Sequence, residues 1–184
     1  MKRLAALTAL ALLTGLSPVA ARACPPPPDL SQQSARLLDA LRTAPDEATA
    51  RRLSDEMWRI WTTAPDARAQ AMLDRGMERR EAYDFAAALA AFDELVAYCP
   101  DYAEGYNQRA FVNFLRGEYA LAVEDLEKAL ELRPEHFAAR AGLALSLMEL
   151  GRIEAGQAAL RAALALNPWL PERAMLISRP GEDI

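Results

Sequence analysis

Histidine and cysteine are scarce in this sequence, which has one histidine and two cysteines among 184 residues. Metal centres and nucleophilic active sites need several ligands, or a nucleophile with a positioned base, so this scarcity argues against both. The sequence also lacks a glycine-rich phosphate loop and a Cys-x-x-Cys pair. Aspartate and glutamate are common but occur singly, as solvent-exposed charges on helix faces do. The sequence therefore predicts a protein that is not an enzyme and that uses no cofactor, metal or small-molecule substrate.

The single histidine, His136, comes shortly after Pro134 at the expected start of a helix. We expect it to cap that helix or to lie on the surface. The alternative is a general base, which would need a serine or cysteine nucleophile beside it.

Basic residues are outnumbered, with 21 lysines and arginines against 26 aspartates and glutamates, and the formal net charge is -5. A nucleic-acid interface needs a basic cluster to meet the phosphates, and none follows residue 23. Alternating runs of Val, Ile, Thr and aromatic residues, which are typical of strands, are missing as well. Ala, Leu, Glu and Arg, which are strong helix formers, dominate the middle of the chain. The expected fold is all-α, with no nucleic acid as partner.

The N-terminus has the three parts of a secretory signal peptide. Lys2 and Arg3 precede the uncharged apolar run Leu4–Leu16, and a small-x-small site lies at residues 21–23. The run is too short for a membrane-spanning helix, which needs ~20 residues. We expect residues 1–23 to be removed, leaving a periplasmic or secreted protein with net charge -8. An uncleaved membrane anchor is the alternative.

The two cysteines, Cys24 and Cys99, both follow the expected cleavage site. An oxidising compartment allows a disulfide between them, and free thiols are equally compatible with the sequence. Cys24 is also a candidate for lipid attachment, which would bring the protein to a membrane. Arg22 and Ala21 depart from the residues that lipoproteins usually have at those two positions. All three states stay open.

The chain after the signal peptide begins with a stiff tether and a helical hairpin. Residues 24–29 include four consecutive prolines, which favour an extended spacer. The remote alternative is that they are a ligand for a domain that binds proline-rich segments. Residues 30–65 predict two helices, because leucines and tryptophans recur at helical spacing on either side of the break at Pro45. Asp46 is placed to cap the second helix, which ends before Pro65.

From residue 66 the chain repeats with a period of 34. Pro100, Pro134 and Pro168 are each separated by 34 residues, and this period is typical of a helix-turn-helix repeat. Five further columns keep the same register and alternate small with large residues. They are Gly76, Ala110 and Ala144; Phe85, Tyr119 and Ile153; Ala88, Ala122 and Gly156; Phe92, Leu126 and Leu160; and Leu95, Ala129 and Ala163.

Residues 103–134 resemble the consensus of the tetratricopeptide repeat. Tyr106 stands at the family's Trp, Ala110 at its Gly, Ala122 at its Ala, Leu126 at its Phe and Pro134 at its Pro. The resemblance implies a right-handed superhelical solenoid of antiparallel helix pairs. It assigns three repeat units to residues 66–168. The hairpin at residues 30–65 would be a degenerate unit, and residues 169–184 would form a capping helix with a tail.

Several positions depart from this consensus, and others form the turn inside each unit or follow the last unit. Arg75 and Arg109 replace the family's Leu, and Arg140 replaces its Trp. Gly117 and Gly151 lie where a left-handed turn is needed, and Tyr83 replaces that glycine in the first unit, which predicts a strained turn. Trp169, Met175 and Leu176 are expected to cover the end of the last unit.

The resemblance implies a concave groove lined by the first helix of each unit, which would bind a partner protein or peptide. Few basic residues lie at the inward positions, so the family's clamp for a peptide carboxylate is not evident and an apolar segment is favoured. The expected groove residues are Leu73, Met77, Arg80, Asn107, Phe111, Phe114, Leu145 and Met148. Phe111, Leu145 and Met148 could instead be core residues, and Trp58 and Trp61 could pack across this region.

These expectations favour an exported interaction module that acts in assembly or maturation of the cell envelope. A scaffold or regulatory subunit of an envelope enzyme complex is the alternative.

Overall fold

The computed structural model describes residues 23–177. Residues 1–22, which hold nearly all of the predicted signal peptide, and residues 178–184 lie outside the described part. Within 23–177 the secondary structure is helical, without strands, so the predicted all-α fold is confirmed. The helices are α1 (Ser31–Arg42), α2 (Glu47–Trp61), α3 (Ala67–Glu81), α4 (Phe85–Tyr98), α5 (Ala103–Leu115), α6 (Tyr119–Leu132), α7 (Phe137–Glu149), α8 (Ile153–Leu166) and a 3₁₀-helix at Pro171–Met175.

Three antiparallel pairs, α3–α4, α5–α6 and α7–α8, stack in chain order. The small columns permit the close packing that the period predicts, since Ala88, Ala110 and Ala122 are fully buried. Gly76 shows how tight this packing is, because a Cβ atom there would lie 2.3 Å from Cε1 of Phe92. The first helices form the inner layer: α5 contacts both α3 and α7, and no comparably close contact joins α4 to α6. The stack is therefore concave on the side of α3, α5 and α7.

The turn inside each unit uses a left-handed residue, as the sequence predicts. Gly117 and Gly151 have φ values of 77° and 74°, and Tyr83 adopts φ 58° at the corresponding place in the first unit. A side chain raises the energy of that conformation, so the turn after α3 is strained.

Side chains at the starts of several helices bind the first free backbone N–H groups. Asp46, Asp66 and Asp84 each accept from the backbone N–H three residues further on, at 2.7, 2.8 and 3.2 Å. His136 does the same for α7, where Nδ1 accepts from the N–H of Ala139 at 3.2 Å. The predicted capping role of His136 is confirmed, but a surface position is wrong because the residue is fully buried.

The arginines that replace the family's leucine form ion pairs between helices. Arg109 on α5 binds Asp125 of α6 through two hydrogen bonds, of 2.9 and 2.6 Å, and Asp93 of α4 through a third, of 2.7 Å. These hydrogen bonds, first of all those to Asp125, raise the pKa of Arg109. Arg75 makes a similar bond of 2.6 Å to Glu94. Asp125 is consequently buried, so the expectation that acidic residues lie exposed on the helix faces is wrong for this one.

The N-terminal hairpin does not precede the first unit in the stack. Helix α1 contacts α8, the last helix of the third unit. Leu37, Leu38 and Leu41 share one buried cluster with Ala163 of α8 and Phe137 of α7. Ala163 corresponds to Ala129, which shares a cluster with the next unit's Ala139. Helix α1 therefore covers the end of the solenoid where a fourth unit would begin.

The outer surface of α3 explains why the hairpin does not stack there. On α5, Gly105 and Val112 are buried, and a Cβ atom on Gly105 would contact Val96 of α4. The corresponding positions of α3 hold Ala71 and Glu78, and both are exposed. A polar, solvated surface of this kind stabilises the free end of a repeat array.

The predicted C-terminal capping helix is wrong in its form. Residues Pro171–Met175 form a 3₁₀-helix, and Met175 is exposed. Trp169 packs against the hairpin cluster beside the buried Leu170. The segment still contacts α8, because Gln157 donates to the carbonyl of Met175 and accepts from the backbone N–H of Ile177. Helix α1 contacts α8 as well.

A disulfide links Cys24 to Cys99, and the Cα atoms of the two residues are 5.1 Å apart. It joins the start of the described chain to the end of α4. The prolines between Cys24 and α1 are not helical, and Pro27 borders a small cavity together with Trp61 and His136. Among residues 23–177, no helix has the length and apolar character that a bilayer crossing requires.

Candidate functional site: the concave cavity between α5 and α7

Helix α2 covers part of the concave side of the stack. Its last residue, Trp61, stacks on the ring of His136 with centroids 3.7 Å apart and meets Phe137 edge-on at 4.7 Å. The hydroxyl of Tyr102, just before α5, donates to the carbonyl oxygen of Trp61 at 2.7 Å. Burial raises the pKa of Tyr102, which keeps this hydroxyl a donor. The hairpin is thus attached to the starts of both α5 and α7.

A buried polar network lies beneath Trp61. The carboxylate of Glu104 accepts from Asn107 at 3.1 Å, from Gln108 at 2.5 Å and from Nε2 of His136 at 2.8 Å. Because Nδ1 of His136 already accepts the capping N–H, the ring proton of the neutral histidine is assigned to Nε2. Arg80 donates to the side-chain oxygen of Gln108. Burial lowers the pKa of Arg80, against the opposing effects of Glu81 and Glu104.

An open cavity of about 280 Å³ remains beside α2 on the concave side. Its inner wall comes from α5 and α7, including Phe111, which is 45% exposed. Phe114 forms the neighbouring part of this wall and packs edge-on against Tyr119 at 5.4 Å. The outer wall comes from the hairpin and from the C-terminal segment. The lining residues are Trp58, Asn107, Gln108, Ala110, Phe111, Phe114, Leu126, Ala138, Ala141, Gly142, Leu145, Ser146, Leu170, Pro171 and Glu172.

Four of the eight expected groove residues line this cavity: Asn107, Phe111, Phe114 and Leu145. The other four lie outside its lining. Leu73 is fully buried in a cluster with Phe92, and Met77 packs against that same cluster. Arg80 lies over the ring of Phe111, 5.2 Å from its centroid, and Met148 accepts from Gln157 on α8. The groove is therefore shorter than expected, because the wall from the first unit is core and the end near Met148 faces α8.

Sequence reasoning assigned no groove role to Leu170, Pro171 and Glu172. These residues border the cavity because the chain turns back after α8, where Gln157 donates to the carbonyl of Met175 at 2.9 Å. Trp58 was expected to pack across the groove region, because it lies on an amphipathic helix beside Trp61.

Comparisons with known proteins agree with this architecture. Two family models, both described as tetratricopeptide repeat, match residues 73–136 and 114–179. Residues 73–179 therefore contain tetratricopeptide repeats. Both models describe a repeat rather than a catalytic domain.

Relatives share the repeats over part of their length. A tetratricopeptide-repeat-containing protein of Rhizobium etli is 32% identical over 120 residues, which are 65% of this chain and 59% of that protein. The homolog of tetratricopeptide repeat protein 36 from Nematostella vectensis is 48% identical over 67 residues, covering 36% of this chain and 37% of its own. The chain thus spans less than two thirds of either relative.

Solved structures match the fold, and two of them are tetratricopeptide-repeat domains. The first such domain of Spaghetti (RPAP3), bound to the HSP90 peptide SRMEEVD, has a TM-score of 0.58 at 18% identity, covering 60% of this chain and 88% of that one. The TPR2B domain of yeast Sti1, in its Hsp70 complex, has a TM-score of 0.52 at 24% identity, covering 53% and 78%. MamA has a TM-score of 0.51 at 19% identity, covering 78% and 80%. These similarities support the solenoid fold.

Proposed function

We propose that this protein is an interaction module that binds a short segment of a partner protein in the concave cavity between α5 and α7. The observation that carries the proposal is the exposed ring of Phe111 at an open, mostly apolar cavity. Exposed aromatic side chains around a pocket are the usual anchors of protein recognition. The similar domain of Spaghetti, which is bound to an HSP90 peptide, supports a peptide as the ligand, and the Sti1 domain is likewise described in a complex, with Hsp70.

The position of α2 limits the size of the bound segment. Trp61 and the network around Glu104 occupy the starts of α5 and α7, so a long partner helix does not fit along the groove. The remaining volume of about 280 Å³ suits one or two apolar side chains. A contact of this size gives modest affinity, on the order of 1 μM, or about -8 kcal/mol.

A double substitution tests the role of the cavity. The Phe111→Ala, Phe114→Ala protein should fold, because Phe111 is exposed and Phe114 partly so, and it should lose a partner that the unchanged protein captures from cell extract. The matched control is Leu121→Ala, Ile153→Ala, which removes two comparably exposed apolar side chains away from the cavity. Equal capture by both variants would place the interaction elsewhere.

The proposal also includes export and a role in cell-envelope assembly or maturation. The pattern of residues 1–23 supports export, and the bonded Cys24 and Cys99 suit an oxidising compartment. Fractionation of the producing cells, with the mass of the isolated protein, tests this. A full-length protein found with the cytoplasmic markers would refute export.

A further inference from the structure

Glu172 lies in the outer wall of the cavity, next to Leu170 and Pro171. Its Oε2 atom is buried and accepts no hydrogen bond from any residue between 23 and 177. A buried carboxylate oxygen without a donor is unfavourable. The neighbouring Arg173 does not supply one, because it pairs with Glu47 at 3.6 Å and lies over Trp169. The cavity wall therefore contains an unsatisfied acceptor with negative charge.

The polar donors in and beside this lining hydrogen-bond to other groups of the protein. Asn107 and Gln108 each donate an amide N–H to Glu104, and the hydroxyl of Ser146 donates to the carbonyl of Gly142 at 2.8 Å. Arg80, the arginine beside Phe111, donates to Gln108. A bound carboxylate would find few free donors here, whereas a cation would find Glu172.

We infer that the partner segment carries a lysine or arginine next to the apolar side chain that enters the cavity, and that Glu172 binds this cation. The inference rests on the proposed function and specifies its ligand. Glu172 as a whole is partly exposed and lines the cavity, where a bound cation would lie beside it. The net charge of -5 favours approach of a basic partner.

Three capped hexapeptides test the inference directly. The probes are Gly-Ser-Phe-Lys-Ser-Gly, the same peptide with Glu in place of Lys, and the same peptide with Ala in place of Phe. Their binding to the disulfide-bonded protein is followed by NMR and by tryptophan fluorescence, to which Trp58 in the cavity lining contributes. The Phe-Lys peptide should bind about tenfold more tightly than the Phe-Glu peptide, as expected for a charge-assisted hydrogen bond.

The Glu172→Gln variant should lose this preference while keeping its affinity for the Phe-Glu peptide. Glu154→Gln removes the same charge from an exposed position on α8 and should keep the preference. Equal binding of the Phe-Lys and Phe-Glu peptides, or no Phe-Lys binding at millimolar concentration, would overturn the inference. Failure of the proposed function has a separate signature, which is peptide binding that Phe111→Ala, Phe114→Ala leaves unchanged.

Discussion

The indole of Trp61 stacks on the imidazole of His136, with ring centroids 3.7 Å apart and planes inclined by 21°. This contact joins residues that are 75 positions apart in sequence. It fixes the N-terminal hairpin on the concave side of the second and third units. The hairpin is consequently part of the fold of the repeats and forms one wall of the candidate site.

Removing the indole of Trp61 should destabilise the whole domain. Trp61 is 2% exposed, and replacing a buried tryptophan by alanine costs about 3–5 kcal/mol. The free energy of unfolding of Trp61→Ala, measured in urea, should fall by about that amount. Trp58→Ala is the control, because Trp58 is only partly buried and should cost less. Equal losses in the two variants would contradict the anchoring role of Trp61.

Replacing Tyr83 by glycine in the turn after α3 should increase the stability of the protein. Tyr83 holds φ 58° and is 82% exposed. Replacing it by glycine removes the steric cost of the left-handed conformation, roughly 1 kcal/mol. Tyr83→Gly should therefore raise the melting temperature, and Gly117→Ala should lower it, since Gly117 adopts the same conformation without strain. A lower melting temperature for Tyr83→Gly would show that the turn is not strained.

The cap of α3 predicts a stability loss in acid. The backbone N–H of Ala69 and the hydroxyl of Tyr98 hydrogen-bond to Asp66 and hold the pKa of its carboxyl below the ordinary value. A pKa lowered by folding contributes stability that is complete above the unfolded value, about 3.9, and is lost as the pH falls through the folded value.

Urea unfolding of the unchanged protein and of Asp66→Asn between about pH 6 and pH 2 measures this contribution. The difference between the two free energies of unfolding should shrink as the pH falls through this range. Asp55→Asn, which changes an exposed acid of α2, is the matched control. A difference that stays constant with pH would refute the prediction.

Reduction of the disulfide should lower stability substantially. Cys24 and Cys99 are 75 residues apart, and a cross-link across a loop of that length stabilises by about 4 kcal/mol, chiefly by restricting the unfolded chain. Dithiothreitol should lower the free energy of unfolding of the unchanged protein by about this amount. It should not affect Cys24→Ser, Cys99→Ser. Equal stability of the oxidised and reduced protein would contradict the prediction.

The repeats could be predicted from the sequence because their packing is local. Each small residue meets a large one within the same unit or the next, so the 34-residue register carries the information, as Gly76 and Phe92 illustrate. The location of the hairpin could not be predicted in the same way. An amphipathic face shows that α1 must be covered but does not identify α8 as its partner. Ala71 and Glu78 of α3 are exposed. The charge of Glu78 is the sequence feature that indicates that nothing stacks before the first unit.

The residues of the candidate site likewise include some that could be predicted from the sequence and some that could not. The resemblance to the tetratricopeptide repeat implies a groove role for Phe111, Phe114 and Leu145, and these residues line the cavity. Glu172 comes from the segment that turns back after α8, and no pattern in the sequence predicts that return. The role of Glu104 was missed as well, since a single glutamate looks like a surface charge until His136 and Gln108 are brought beside it.

Photo-crosslinking in the cells that make the protein tests whether the concave cavity binds a partner. A benzophenone amino acid replaces Phe111 in the cavity or, as the control, Leu121, which is similarly exposed on α6 outside it. A discrete cross-linked partner should form from position 111 and be absent from position 121. Cross-links from position 121 alone, or none from position 111, would contradict a partner-binding role for the concave cavity.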